Sequence, residues 1–181
     1  LTTMVLGHGA IADALAYAHR REMMHRDIKP ANIMLNEDTG RAVLTDFGIV
    51  KMLGNQSMAY TATGALIGTP AYMSPEQALG QSGDHRVDIY SLGVMLFQMV
   101  TGEMPYTSET PMGLILKHMQ DPVPVATETN PDLPGDIDEI IAIAMAKSPD
   151  DRYQTGGEMV EALMELVGSV TATKAPTQLR L

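Results

Sequence analysis

No cysteine occurs in the 181 residues, which excludes disulfides and thiolate-based zinc sites and fits a cytosolic chain. No apolar run approaches about 18 residues, so no membrane-spanning helix is encoded here. Basic residues are scarce. Twelve Lys and Arg against 22 Asp and Glu leave a net charge of −10, the wrong sign for nonspecific attraction to nucleic-acid phosphates. The opening LTTMVLGHGAIADALAYAHRR lacks a basic segment followed by a long apolar stretch, so a signal peptide is not expected. Leu rather than Met at position 1 hints at a fragment. No internal repeat with a period of about 20 to 50 residues is visible.

What is present suits one soluble domain. Hydrophobic residues make up 45% of the chain and charged residues 19%, within a mass of 19.5 kDa, enough to bury a core. Val5, Leu6, Ile11, Leu15 and Ala18 recur near helical spacing and predict a helix over 3–20. NIML (32–35) and RAVLT (41–45) read as short strands, and the turn formers of NEDTG between them predict a hairpin. Residues 49–70 are rich in Thr, Gly and Ala without periodicity and read as one long loop; loops of that length are usually functional or disordered. Four helical stretches follow. VDIYSLGVMLFQMVTG (87–102) is apolar nearly all round and predicts a buried helix stopped by Gly102. PMGLILKHMQ (111–120), DIDEIIAIAMAK (136–147) and GGEMVEALMELVGS (156–169) complete a mainly helical chain with one small hairpin. The 15 methionines sit mostly in apolar helix stripes and read as core. His8, His19, His85 and His118 lack ligand spacing and read as ordinary surface or packed residues.

The chemistry concentrates in MHRDIKPANIML (24–35), where Asp27, Lys29 and Asn32 stand at the mouth of the first strand. Strands of a hairpin lie about 5 Å apart, which should bring Asn32 and Asp46 side by side. An amide oxygen and a carboxylate there would suit Mg²⁺, which takes oxygen ligands and few of them from protein. Asp27 could then act as a base, with Lys29 placing positive charge on a transferring phosphoryl group. On these residues alone, a polar turn with a satisfied Asp and Asn is an equal alternative.

The wider chain shifts that balance. HRDIKPAN, a hairpin and then DFG (46–48) resemble the catalytic and metal-binding segments of eukaryotic-type protein kinases. GTPAYMSPE (68–76), DIYSLG (88–93) and SPDDRYQT (148–155) resemble, in the family's order, its substrate-binding segment, its buried helix start and its late arginine motif. SPEQALG and DDRYQT are most similar to the bacterial Ser/Thr, or Hanks-type, kinases. The resemblance implies an α+β kinase fold of which this chain is the helical large lobe, with a hairpin and a long activation loop. It implies a kinase domain over 1–168 and a polar linker or tail over 169–181.

By the same resemblance, Asp27 matches the base for the substrate hydroxyl and Arg26 the arginine that binds a phosphorylated activation loop. Lys29 matches the γ-phosphate lysine, Asn32 and Asp46 the Mg²⁺ ligands, and Met34 the apolar floor for adenine. Thr69 matches the threonine that braces base and lysine, a mark of Ser/Thr specificity. Glu76 and Arg152 match a buried ion pair, Asp88 the carboxylate that caps the catalytic-loop backbone, and His25 and Phe47 a structural stack. Thr61 and Thr63 match threonines autophosphorylated in bacterial relatives. Implied partners are ATP with Mg²⁺, protein substrates bearing Ser or Thr, and a kinase dimer for trans-autophosphorylation. The localisation implied is cytoplasmic, and a membrane anchor beyond residue 181 is common in such relatives.

Glu22 departs from the pattern. It stands where the family often has glycine, and a Cβ in the left-handed conformation costs about 1 kcal/mol. No G-x-G-x-x-G occurs, and nothing resembles the strand lysine that pairs the α- and β-phosphates, so the chain is expected to carry the lower half of a phosphoryl-transfer site. Two other readings compete with a kinase. A non-catalytic kinase-like scaffold would show erosion of Asp27, Asn32 or Asp46, and all three are intact; a small-molecule phosphotransferase of similar fold would lack GTPAYMSPE.

Overall fold

The helical periods and the hairpin both form. The computed structural model describes residues 2–36, 38–39, 41–46, 70–81 and 83–173. Phe47, Thr61, Thr63, Thr69 and the expected loop up to residue 69 lie outside the described residues. Helix α1 (Thr2–His19) buries Ile11, Ala12, Leu15 and Ala18. Strands β1 (Ile33–Leu35) and β2 (Ala42–Leu44) pair antiparallel, with Met34 opposite Val43. Asn36 Oδ1 closes the turn by accepting from the Thr39 N–H and hydroxyl, each at 2.9 Å. Helices α2 (Pro75–Ala78), α3 (Arg86–Thr101), α4 (Pro111–Gln120), α5 (Ala126–Thr129), α6 (Asp136–Ala144) and α7 (Gly156–Thr173) follow.

The centre is α3. Every residue from Val87 to Phe97 is buried, as a stretch apolar nearly all round predicts, with Asp88 and Ser91 buried among them, and the helix stops at Gly102 with φ 79°. Gly93 allows the closest packing. A Cβ there would lie 2.7 Å from Ala144 Cβ and 2.9 Å from Met145 Cγ at the end of α6. Gly156 does the same between α7 and α1, where a Cβ would come within 2.6 Å of the Ala12 carbonyl oxygen.

Some expectations shift. Helices α2 and α5 and the single turns of 3₁₀ helix at Pro30–Asn32, Pro70–Tyr72 and Pro149–Asp151 were not anticipated; none is long enough to show a period. Helix α7 runs past Ser169 to Thr173, and α6 ends at Ala144 rather than Lys147. The methionines divide. Met95, Met145 and Met159 are core, whereas Met23, Met34, Met112 and Met164 are exposed. The hairpin turns Met34, Leu35 and Val43 outward, leaving an apolar face uncovered by the described residues.

Candidate active site

A buried carboxylate organises the site. Asp88, in the first turn of α3, accepts from the His25 N–H through Oδ2 at 2.8 Å and from the Arg26 N–H through Oδ1 at 2.6 Å. Buried backbone donors must find acceptors, and one side chain serves both. It thereby holds Arg26 in the left-handed region, φ 61°, at a cost of about 1–2 kcal/mol. The His25 ring, fully buried, bridges onward. Its Nδ1 accepts from the Asp27 N–H at 3.3 Å, and its Nε2 donates to the Thr45 carbonyl at 2.9 Å. One imidazole thus links the segment bearing Asp27 to the end of β2.

Asp27 is where the polar groups converge. Lys29 Nζ donates to Asp27 Oδ2 at 2.9 Å. Pro30, with φ preset for a turn, opens the 3₁₀ turn that folds Asn32 back, and Asn32 Nδ2 donates to the Asp27 carbonyl at 2.7 Å and to Oδ2 at 3.2 Å. The Asp27 and Lys29 side chains keep 30% and 24% of their surface exposed, so their ion pair contributes little to stability and chiefly sets geometry. The Asn32 carbonyl takes the Thr45 N–H at 2.9 Å and the Thr45 hydroxyl at 3.1 Å. The hairpin register, Ile33 opposite Leu44, therefore pairs Asn32 with Thr45. Asp46 lies one residue further on rather than directly beside Asn32 as anticipated, with φ 55° and an exposed side chain. Both still sit at the same end of the hairpin, and Met34 is exposed on β1 beyond them.

Around this centre, Glu76 on α2 and Arg152 pair through two bonds of 2.8 and 2.7 Å. Arg152 spends its remaining N–H groups on the carbonyls of Ala146, Arg86 and Lys147 and lies 4.9 Å from the Tyr90 ring centroid. Three further contacts were missed from sequence. Gln77 donates to the Arg26 carbonyl at 3.3 Å while closing a capping box with Ser74; the Ser-x-x-Gln spacing was the available signal. His19 Nε2 donates to Asp88 Oδ2 at 2.8 Å, so His19 is no ordinary surface histidine. Buried His118 bonds the Tyr90 hydroxyl through Nδ1 at 2.9 Å, and its carbonyl accepts from Lys147 Nζ at 2.8 Å. No spacing rule flags the last two.

This buried group is also the most perturbed electrostatically. Desolvation, aided by the Lys147 charge, lowers the His118 pKa to about 4, and desolvation lowers that of Lys147 to about 8. Burial likewise raises the Tyr90 and Tyr106 hydroxyls.

Comparison with known proteins bears on all of these segments. The protein kinase domain family matches residues 6–165. The serine/threonine-protein kinase PknB of Mycolicibacterium smegmatis is 42% identical over 153 residues, 82% of this chain and 24% of that protein. A probable serine/threonine-protein kinase of Corynebacterium efficiens is 40% identical over 169 residues, 91% of this chain and 25% of that protein. Another from Clostridium acetobutylicum is 42% identical over 153 residues, 84% and 23% respectively. The chain spans about a quarter of the length of these relatives. Among the described residues no helix is long and apolar enough to cross a membrane.

Proposed function

The chain belongs to the protein kinase family, and from that premise we propose that it forms the catalytic large lobe of a kinase that transfers the γ-phosphate of ATP to Ser and Thr hydroxyls of proteins. The observation that carries this reading is the convergence of Lys29 Nζ and Asn32 Nδ2 on Asp27 Oδ2. A carboxylate held by two donors and part-exposed can receive a substrate hydroxyl. As the hydroxyl oxygen bonds to the γ-phosphorus, its proton passes to Asp27 and the bridging oxygen leaves with ADP. Lys29, whose Nζ lies 2.9 Å from Asp27 Oδ2, would offset the phosphoryl charge.

Asn32 and Asp46 are the residues that would hold Mg²⁺, and the donor set fits. Their oxygens are hard ligands, and with Asn32 Nδ2 committed to Asp27 the amide presents its oxygen as the remaining acceptor. A metal ion held by Asn32 and Asp46 would supply positive charge to offset that of the phosphate oxygens. Met34, exposed beside this end of the hairpin, would floor the adenine. Asp88, His25, Glu76 and Arg152 position the loop and the substrate-binding segment rather than touch substrate, with Phe47 assigned to the same stack.

Thr69 is assigned as the brace on Asp27 and Lys29. Thr61 and Thr63 are assigned as phosphorylation sites read by Arg26, since a phosphate adds about −1.5 to −2 charge and three acceptor oxygens. A dimer able to phosphorylate these threonines in trans belongs to the same reading, as does a cytoplasmic site of action.

The test uses the protein in a form that includes a nucleotide-binding small lobe, since no glycine-rich loop lies in these 181 residues. Asp27→Asn should lower turnover by about 10²–10⁴-fold with KM for ATP nearly unchanged. Mass spectrometry after incubation with ATP and Mg²⁺ should find phosphate on Thr61 or Thr63 in the parent and none in Asp27→Asn. Undiminished turnover in that variant would refute the base, and an unmodified loop in an active parent would refute the switch.

A further inference from the structure

We propose that His118 is a positioning residue for the substrate-binding segment, its Nε2–H drawing in the Ala71 carbonyl; the effect on turnover rests on the kinase reading above. The 3₁₀ turn Pro70–Tyr72 lies in the GTPAYMSPE stretch and packs against both α3 and α4. Helix α3 grips Tyr72 at both ends. Ser91 Oγ donates to the Tyr72 carbonyl at 2.6 Å, and the Tyr72 hydroxyl donates to Gln98 Oε1 at 2.7 Å. Both contacts are made to Tyr72, so Ala71, the residue before it, is left to α4. What α4 brings to the turn is His118, 1% exposed.

The ring is locked before it meets the turn. Its Nδ1 bonds the Tyr90 hydroxyl at 2.9 Å, the Tyr106 ring stands edge-on with centroids 4.9 Å apart, and Lys147 Nζ donates to the His118 carbonyl at 2.8 Å. Burial, aided by the Lys147 charge, keeps the imidazole neutral at physiological pH. A neutral ring carries one N–H. With the His118 carbonyl occupied by Lys147, the Tyr90 hydroxyl donates to Nδ1, and the proton stands on Nε2. That nitrogen is buried and makes no well-formed hydrogen bond among the described residues. An unmet buried donor is costly, which gives the ring a pull on any acceptor within a short move. The Ala71 backbone faces the ring and favours its charged form, as only an acceptor does, so its carbonyl is the group at hand. A small shift of the half-buried turn closes the bond. Closing it fixes the backbone of the segment on which a protein substrate would lie.

NMR tests the assignment without catalysis, so its failure and failure of the kinase reading are separate results. In the form bearing a small lobe, the His118 ring should show the Nε2–H tautomer at pH 7; an Nδ1–H or doubly protonated ring would overturn the proposal. His118→Asn keeps an oxygen for the Tyr90 hydroxyl but stops short of Ala71, whereas His118→Gln extends an amide N–H to the place of Nε2. Hydrogen exchange is compared at the Met73 amide, which closes the turn on the Pro70 carbonyl at 3.2 Å, and at Ile141 in α6, which reports global opening. Loss of one neutral hydrogen bond should speed Met73 exchange about three- to tenfold in His118→Asn with Ile141 unchanged, and His118→Gln should restore slow exchange. Unchanged exchange at Met73, an equal rise at Ile141, or a His118→Gln chain that behaves like His118→Asn would each overturn the proposal. A synthetic peptide of residues 55–67, carrying Thr61 and Thr63, serves as phosphate acceptor. Its KM should rise about three- to tenfold in His118→Asn while kcat and KM for ATP hold; an unaltered peptide KM, or a loss confined to kcat, would overturn it too.

Discussion

Glu76→Ala should be among the most destabilising single changes available outside the apolar core. The carboxylate occupies both terminal nitrogens of Arg152, at 2.7 and 2.8 Å, and both side chains are nearly fully buried. The guanidinium is saturated, its other donors serving the carbonyls of Ala146, Arg86 and Lys147. Removing Glu76 leaves a cation that cannot reach water without abandoning those carbonyls. Breaking one partner of a buried pair costs about 3–5 kcal/mol. For a chain of this size, about 1 kcal/mol moves Tm by about 2–4 °C, so the expected drop is about 6–20 °C. Arg152→Lys should not rescue a weakened site, because three donors on a point charge cannot replace a planar five-donor fork. The decisive comparison is the double variant Glu76→Leu/Arg152→Met. Replacing both charges by apolar groups removes the orphan, so it should be more stable than Glu76→Ala, although three carbonyls remain unmatched. The assay is urea unfolding monitored by circular dichroism. A Glu76→Ala loss below about 1 kcal/mol, or a double variant less stable than the single, would refute the orphaned-charge argument.

Two further outcomes follow from buried groups. His118 has a folded pKa of about 4 against an ordinary 6.5, so between those values the unfolded chain binds more protons and stability falls as pH drops from about 6.5 to 4, by at most about 1.4 kcal/mol per unit; His118→Leu should flatten that slope in urea titrations at several pH values, and an unchanged slope refutes it. Gly93→Ala should destabilise despite a helix-propensity gain of about 1 kcal/mol, because the new Cβ meets Ala144 and Met145 inside 3 Å at a cost of about 1–3 kcal/mol; a raised Tm would show that α6 yields freely.

The parts legible from sequence were those whose partners lie close along the chain or repeat with a period. Asp27, Lys29 and Asn32 fall within six positions, and a turn suffices to bring them together. The buried character of α3 followed from a sequence apolar nearly all round, whereas the burial of Asp88 within it did not. Glu76 and Arg152, 76 positions apart, came only through resemblance to a family, since no local rule pairs them. His19 escaped because a lone histidine carries no spacing and its partner lies 69 positions away. The offset between Asn32 and Asp46 escaped for another reason: residue types bound strands such as 32–35 and 41–45 only to within a residue or more, whereas the register turns on one.

Backbone strain was the least legible feature, and it explains why α3 matters to the site. Left-handed conformations occur at Glu22, Arg26 and Asp46 among the described non-glycine residues. Only the first was expected, from a family preference for glycine; nothing in the sequence around Arg26 or Asp46 signals a positive φ. Such conformations persist only where the surroundings over-determine them. For Arg26 the structure identifies the agents: Asp88 takes its N–H and Gln77 its carbonyl, so α3 and α2 grip the same peptide segment from two sides. For Asp46 the neighbouring restraint is the Thr45 carbonyl, bound by the His25 ring that also accepts from the Asp27 N–H. The two acidic groups that the proposed chemistry requires are thus carried by peptide segments joined through one buried imidazole. That imidazole's own backbone N–H is fixed to α3 by Asp88. Precision at the exposed hairpin end is inherited from a buried helix beneath it, so on the proposed chemistry substitutions below the site would alter rate without altering any catalytic group.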